Sequence, residues 1–104
     1  MIDLTTIENG TQLLIETKNA VYDVLIIDNS TCEVELSGGY KVTKPTKATL
    51  SGSVWASKKY PNEIRKNMTL EFFYADHKLT TAKVINVVIF EKDEEWYYDM
   101  GWNK

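Results

Sequence analysis

The chain has 104 residues, of which 43% are hydrophobic and 12% aromatic, and its formal net charge is −3. This length fits a single domain over residues 1–104, and the composition favours a packed core over a disordered chain. Cys32 is the only cysteine, no apolar run is long enough to span a membrane, and the N-terminus lacks a secretory signal pattern. We therefore expect a cytoplasmic protein that has neither disulfides nor a membrane segment.

The first half of the chain alternates apolar and polar residues with the period of two that is typical of half-buried strands. This pattern predicts one strand over Gln12–Thr17. It predicts two more over Val21–Ile27 and over residues 32–36. The polar run 28–30 between them favours a short turn, so these two strands are predicted to form a hairpin.

Glycines mark the next changes of direction. Gly38 and Gly39 end the hairpin, because two successive residues that are free to take positive φ suit a sharp turn or a bulge. The following predicted strand, Thr46–Trp55, contains Gly52. A glycine inside a strand is typical of a bend in a closed or nearly closed sheet.

The second half predicts a loop and then another hairpin. The polar stretch 56–67 is predicted as the longest loop, with one helical turn after Pro61. Residues 68–74 and 79–90 are predicted to pair around a turn over 75–78, and the return arm is apolar enough to be partly buried on both faces. The fold class is therefore all-β: a small, strongly bent antiparallel sheet or an SH3-like barrel of five to seven strands.

The C-terminal segment, residues 91–104, is acidic and aromatic. One interpretation is a last strand, with Trp96 and Tyr98 packed inward. The other is an interaction segment, in which Trp96, Tyr98 and Trp102 contact a protein partner or a second copy of the chain while the carboxylates attract basic groups. The sequence leaves both interpretations open.

Basic side chains are concentrated in residues 40–66, which we call the basic segment. It carries +6, whereas residues 1–39 carry −6 and residues 67–104 carry −3. Aromatic residues lie among the cations, a combination that suits binding of phosphate or carboxylate groups and stacking on flat ligands. The alternative is that these lysines only keep the surface soluble and protect sheet edges. The candidate binding residues, whose lysines we expect to form one electropositive region, are Tyr40, Lys41, Lys44, Lys47, Trp55, Lys58, Lys59, Tyr60, Arg65 and Lys66.

No pattern in the sequence indicates catalysis, so we expect a protein that is not an enzyme and uses no metal and no cofactor. The only histidine, His77, falls in a predicted turn, and Cys32 alternates with core positions, where a small buried hydrophobe is expected. Glu33 and Glu35 share one strand face, as on a solvated surface. The sequence shows neither metal-ligand spacing nor a phosphate-binding glycine pattern.

Three stretches of the chain resemble a pattern of short uncharacterised bacterial or phage-borne β proteins. They cover residues 10–22, the pair 38–39 and residues 45–55. In that family a serine tends to follow the asparagine of the first stretch, whereas this chain has Ala20, and the segment after Phe90 lies outside the pattern. The resemblance implies a compact β domain with no known activity, and it transfers no functional residue.

The leading functional hypothesis is a binding module that acts through protein–protein interaction or self-association, because aromatic residues and complementary charge blocks need no further motif. The alternative is binding of single-stranded nucleic acid or a nucleotide by the basic segment, with Tyr40, Trp55 and Tyr60 stacking on bases. The sequence pI of about 5.1 is unlike that of most nonspecific nucleic-acid binders. A small enzyme is the third option, but the sequence shows no nucleophile–base pair that would support it.

Overall fold

A computed structural model describes residues 1–90 and the backbone of residues 97–99. This part of the chain contains eleven β-strands, one 3-10 turn at Leu4–Thr6 and no α-helix. The all-β prediction is confirmed. No helix in the described part is long and apolar enough to cross a membrane.

The strands follow one another with short connections. Their bounds are β1 (Ile2–Asp3), β2 (Gln12–Thr17), β3 (Val21–Asp28), β4 (Glu33–Gly38), β5 (Val42–Trp55), β6 (Lys58–Pro61), β7 (Glu63–Ile64), β8 (Thr69–Tyr74), β9 (His77–Thr80), β10 (Val84–Phe90) and β11 (Tyr97–Asp99).

Nine of these strands form one antiparallel sheet in the order β11-β10-β2-β3-β4-β5-β8-β9, with β6 also paired to β5, and β1 pairs separately with β7. The sheet is not closed into a barrel, because β11 and β9 remain its two edges. Two backbone hydrogen bonds link the start of β10 to the residues before β8: the Val84 N–H donates to the Met68 carbonyl, and the Asn67 N–H donates to the Val84 carbonyl. The antiparallel sheet was predicted correctly, and the barrel is not observed.

The inward face of the sheet holds one hydrophobic core. The period-two prediction is confirmed in β2 and β3, where alternate residues are buried from Leu13 to Ile26. Burial of each large aliphatic side chain contributes roughly 1.5–3 kcal/mol, so this face is the main source of stability. The largest fully buried side chains are Phe72, Ile2, Leu4, Leu13, Ile15, Ile26, Leu36, Leu50, Ile64 and Leu70.

The predicted hairpin of β3 and β4 is confirmed, and its turn is held by a side chain. The Asp28 carboxylate accepts hydrogen bonds from the backbone N–H and the hydroxyl of Ser30, at 3.0 and 2.7 Å. Cys32 is buried, as predicted, but it lies in the turn with a φ of 58° and not in the strand.

A bulge at Gly52 bends the fourteen-residue strand β5. Gly52 has a φ of 147°, and a Cβ there would lie 2.3 Å from the Tyr60 carbonyl oxygen. The pairing with β8 shifts register between Leu50 and Gly52. The predicted bend is therefore real, and glycine is required because the neighbouring strand β6 passes too close for a side chain.

The prediction of a long loop with a helical turn over residues 56–67 is wrong. This stretch forms β6 and β7 and contains no helix. The sequence pattern there is polar, but β5 presents unpaired backbone groups that must be satisfied. The Asn62 N–H donates to the Ser51 carbonyl at 3.1 Å, and β7 buries Ile64.

The predicted return arm over 79–90 is two strands, and together with the unpredicted short strands β1, β6 and β7 this split explains why eleven strands appear where five to seven were expected. β9 pairs with β8, whereas β10 pairs with β2. The chain changes partner at residues 81–83, where the buried Thr81 hydroxyl accepts a hydrogen bond from the Leu70 N–H at 3.0 Å. His77 consequently lies in β9 and not in the turn, which Ala75 and Asp76 form.

Within the C-terminal segment, only Tyr97–Asp99 is described, as the edge strand β11. It pairs antiparallel with β10, and Tyr98 is the register partner of Ile89. Trp96 and Trp102 lie outside the described residues.

Candidate binding surface

The structure divides the basic segment into two parts along β5. Lys41 lies just before the strand and Lys44 and Lys47 lie on its first half, where β4 is the only described strand that pairs with it. Pro45 interrupts the same stretch. Lysines and a proline on a free strand edge are the usual protection against pairing with another chain, so the edge-protecting interpretation fits this half.

Acidic neighbours balance two lysines of the basic segment. Lys47 Nζ lies 3.7 Å from the Glu33 carboxylate, and Lys59 Nζ lies 3.3 Å from that of Glu71. Lys58 and Lys59 are neighbours on β6, so their side chains leave opposite faces of the strand. These lysines therefore do not act as one group.

The second half of the basic segment forms two contacts between a cation and an aromatic ring. The Arg65 guanidinium lies 3.8 Å from the centre of the Tyr60 ring, and Lys83 Nζ lies 3.8 Å from the centre of the Trp55 ring. Each such contact is worth about 0.5–1 kcal/mol at an exposed site and more when desolvated. Together with Lys58, these four residues make up what we call the cation–aromatic cluster.

Strand register brings the two contacts together. Trp55 is the register partner of Lys58, and Ser53 is that of Tyr60, so both rings and Lys58 share one face of the β5–β6 pair. Trp55 and Tyr60 are diagonal neighbours in this register, a relation that places Cβ atoms about 7–8 Å apart or somewhat less. The rings and their cations therefore form one continuous surface.

The fully buried hydroxyl of Ser53 fixes the position of Arg65. It donates to the Glu63 carbonyl at 2.9 Å and accepts from the Arg65 N–H at 2.8 Å, so β7 and the residue after it are attached to β5. Arg65 Nε in turn donates to a Glu63 carboxylate oxygen at 2.8 Å. The Arg65 side chain is thus held between a carboxylate and the Tyr60 ring.

The cation–aromatic cluster is open to solvent and positively charged. Trp55 is 48% exposed, so it is a surface residue and not a core tryptophan. The cluster contains three cations, and Glu63 is the carboxylate that the structure pairs with them. Beside it, Met1, Arg65, Lys66 and Met68 line a surface cleft of about 330 Å³. This arrangement suits a ligand that offers negative charge together with flat or apolar groups.

Lys83 is the member of the cluster that the sequence did not indicate. It lies outside the basic segment and far from Trp55 in sequence, so no local pattern connects them. The contact exists because β10 begins beside the residues that precede β8.

Tyr40 lies apart from the cluster, at the turn between β4 and β5. It is 94% exposed and, with Lys41, borders a cleft of about 210 Å³ that also contains Tyr22 and Leu79. The structure therefore does not bring Tyr40 together with Trp55 and Tyr60 in a described contact.

The two side chains that the sequence analysis considered for catalysis, Cys32 and His77, have separate surroundings. Burial, and secondarily the charge of Asp3, raises the pKa of the Cys32 thiol, which lies 3.3 Å from the Asn62 side-chain oxygen. His77 is exposed, and its ring centre lies 5.8 Å from that of Tyr74. In the described residues, no three histidine, cysteine or acidic side chains are grouped as metal ligands.

On the face opposite the cluster, Glu71 is the centre of an ion-pair network. It lies 3.3 Å from Lys59 Nζ and 3.7 Å from Lys78 Nζ. Burial of the carboxylate raises its pKa, but the hydrogen bond and charge of Lys59 outweigh this, so the pKa of Glu71 is lowered overall. The network is structural, because both cations are occupied by the same carboxylate.

Comparison with known proteins adds no constraint on function. The chain has no significant similarity to any protein family, curated protein or solved structure with which it was compared.

Proposed function

We propose that the protein is a non-enzymatic binding module, and that its cation–aromatic cluster holds an acidic segment of a partner protein. The observation that supports this is the pair of ring–cation contacts on neighbouring strands, Lys83 over Trp55 and Arg65 over Tyr60. Aromatic residues and arginine are the side chains that most often dominate the binding energy of protein interfaces.

An acidic protein segment fits the cluster better than a nucleic acid. One face of each ring is already covered by a cation of the same chain, so that face is not open to a stacked base. The whole chain carries −3, which repels a long polyanion, whereas a short acidic segment senses mainly the local positive charge.

Binding of single-stranded nucleic acid is the second candidate. It is favoured by the three cations, the exposed ring of Trp55 and the half-buried ring of Tyr60 that the cluster places on one surface. Such a surface can neutralise phosphates while the outer ring faces stack on bases.

We propose an SH3-like form of binding, in which an extended segment lies along an aromatic surface of a small bent sheet. The cytoplasmic location also remains a proposal, supported by the single unpaired cysteine. The absence of an assembled nucleophile and base in residues 1–90 supports a non-enzymatic role.

The proposal can be tested with two fluorescent probes, a short peptide of alternating glutamate and tryptophan and a single-stranded oligothymidylate. We expect the peptide to bind in fluorescence anisotropy and the double variant Lys58→Glu, Lys83→Glu to weaken it at least about tenfold. The matched control is Lys41→Glu, Lys44→Glu, which changes the net charge equally on the edge of β5.

Equal weakening by both variants would mean that overall charge is sensed and not the cluster. Tighter binding of the oligothymidylate, with a steep loss between about 50 and 200 mM salt, would favour the second candidate. If neither probe binds at low salt, the cluster is not a binding surface.

A further inference from the structure

The cation–aromatic cluster and the acidic run after Phe90 are connected to opposite ends of β10. Lys83, which covers the Trp55 ring, immediately precedes the strand. Phe90 is its last residue, and the acidic run Glu91-Lys92-Asp93-Glu94-Glu95 follows in sequence. A seven-residue strand separates the two ends by about 20 Å, at roughly 3.3 Å per residue.

The reach of the acidic run is limited by the positions of the described residues on either side of it. The chain leaves the described part at Phe90 and returns to it at Tyr97, and these two residues are register partners. A connection of six residues with adjacent ends can extend its backbone by about 12 Å at most, which is short of the cluster. After Asp99 the sequence has no further acidic residue.

We infer that the acidic run of one copy of this chain binds the cation–aromatic cluster of a second copy. The inference rests on the proposed function of the cluster and names its partner. Four carboxylates in the run complement the cations Lys58, Arg65 and Lys83, and Trp96 adds an aromatic residue next to the acids. Contact within one copy is disfavoured by the distance along β10.

The two surfaces that meet are different, so copies can either exchange acidic runs reciprocally in a two-fold dimer or join head to tail. An open head-to-tail assembly always keeps one free cluster at one end and one free acidic run at the other. Head-to-tail contacts therefore continue until the copies close into a ring, and they form a filament if the geometry does not close. In every case the contact joins a cluster to an acidic run, and never two clusters or two runs.

The test is complementation between two variants, followed by sedimentation velocity. The cluster variant is Lys58→Glu, Lys83→Glu, and the acidic-run variant is Asp93→Asn, Glu94→Gln, Glu95→Gln, which removes the negative charge without making the run basic. We expect the unaltered chain to associate at low salt, as a two-fold dimer or a larger assembly, and each variant alone to be monomeric. An equal mixture should form only a dimer of one copy of each variant, since one intact cluster and one intact run remain.

Controls separate this contact from others. Lys41→Glu, Lys44→Glu changes the charge at the edge of β5 and should leave assembly unchanged. Glu16→Lys, Asp23→Lys removes acids from the outward face of β2 and β3 and should also leave it unchanged. Circular dichroism of each variant shows whether it is folded. If the cluster variant does not fold, the inference is tested by whether the acidic-run variant remains monomeric.

The possible results distinguish the inference from the proposed function. An unaltered chain that stays monomeric at low salt overturns the inference, and if the acidic probe peptide still binds the cluster, the proposed function survives. Assembly that persists in both variants, or that only the control on β2 and β3 abolishes, also overturns it. If the chain assembles but does not bind the probe peptide, the inference stands, and the cluster binds only the acidic run of other copies of this chain.

Discussion

The two halves of the basic segment have similar compositions and different surroundings. Residues 41–47 lie along a strand half that β4 alone pairs among the described strands, with Pro45 in its middle. In the second half, Trp55 and Tyr60 lie beside each other on paired strands, and each ring holds a cation. The residues on the neighbouring strand therefore decide whether a lysine of β5 or β6 protects a sheet edge or forms part of a binding surface.

The bulge that separates the halves gives the largest expected effect. Gly52→Val places a side chain 2.3 Å from the Tyr60 carbonyl oxygen at a φ of 147°. We expect the free energy of unfolding to fall by about 3 kcal/mol or more, because β6 must move away from β5. Urea denaturation measures this, with the exposed position Thr49→Val as the control in the same strand. Equal stability of the two variants would show that β6 does not need the close approach.

The second prediction concerns the hydroxyl that positions Arg65. Ser53→Ala leaves the Arg65 N–H and the Glu63 carbonyl without their partner, so we expect a loss of about 1–3 kcal/mol in the free energy of unfolding. Binding of the acidic peptide should weaken as well. Thr46→Ala in the first half removes a hydroxyl bonded only to the exposed Lys44 carbonyl, and it should change stability by less than about 0.5 kcal/mol. A smaller loss for Ser53→Ala than for Thr46→Ala would contradict this account.

The third prediction concerns how the free energy of unfolding depends on pH, through Glu71 on the face opposite the cation–aromatic cluster. The pKa of Glu71 is lowered from its ordinary value of 4.5 in the folded protein, so its stabilising effect is present above that value. It is lost as the pH falls through the folded pKa. In urea titrations from neutral to acidic pH, Glu71→Gln should flatten the acid side of the stability curve. Glu16→Gln, at an exposed position of β2, should leave the curve unchanged.

The smallest effect is expected on the protected edge. The ion pair of Lys47 with Glu33 spans 3.7 Å, and the lysine side chain is 73% exposed. Such pairs contribute little, so Lys47→Gln should change the free energy of unfolding by less than about 0.5 kcal/mol. A larger loss in thermal or urea denaturation would show that the first half is more than edge protection.

The parts of the fold that were predicted correctly are those in which the alternation of apolar and polar residues in the sequence matches the alternation of buried and exposed side chains in the structure. β2 and β3 alternate in sequence and bury every second residue, and Gly52 marked the bend. β6 was missed because its residues are polar, and it pairs only because β5 needs a partner on that side. Lys83 was missed for the same kind of reason, since a contact made by tertiary approach has no sequence period.

The pairing of β2 with β10 has a consequence for how the chain acquires its structure. Ile15 and Val87 are register partners, so β2 must wait for β10, which is synthesised much later. The β3–β4 hairpin can form locally, but joining β10 to β2 closes most of the polypeptide into a loop and loses the corresponding chain entropy. We therefore expect folding to be slow for a domain of this size and to be completed only after β10 has left the ribosome.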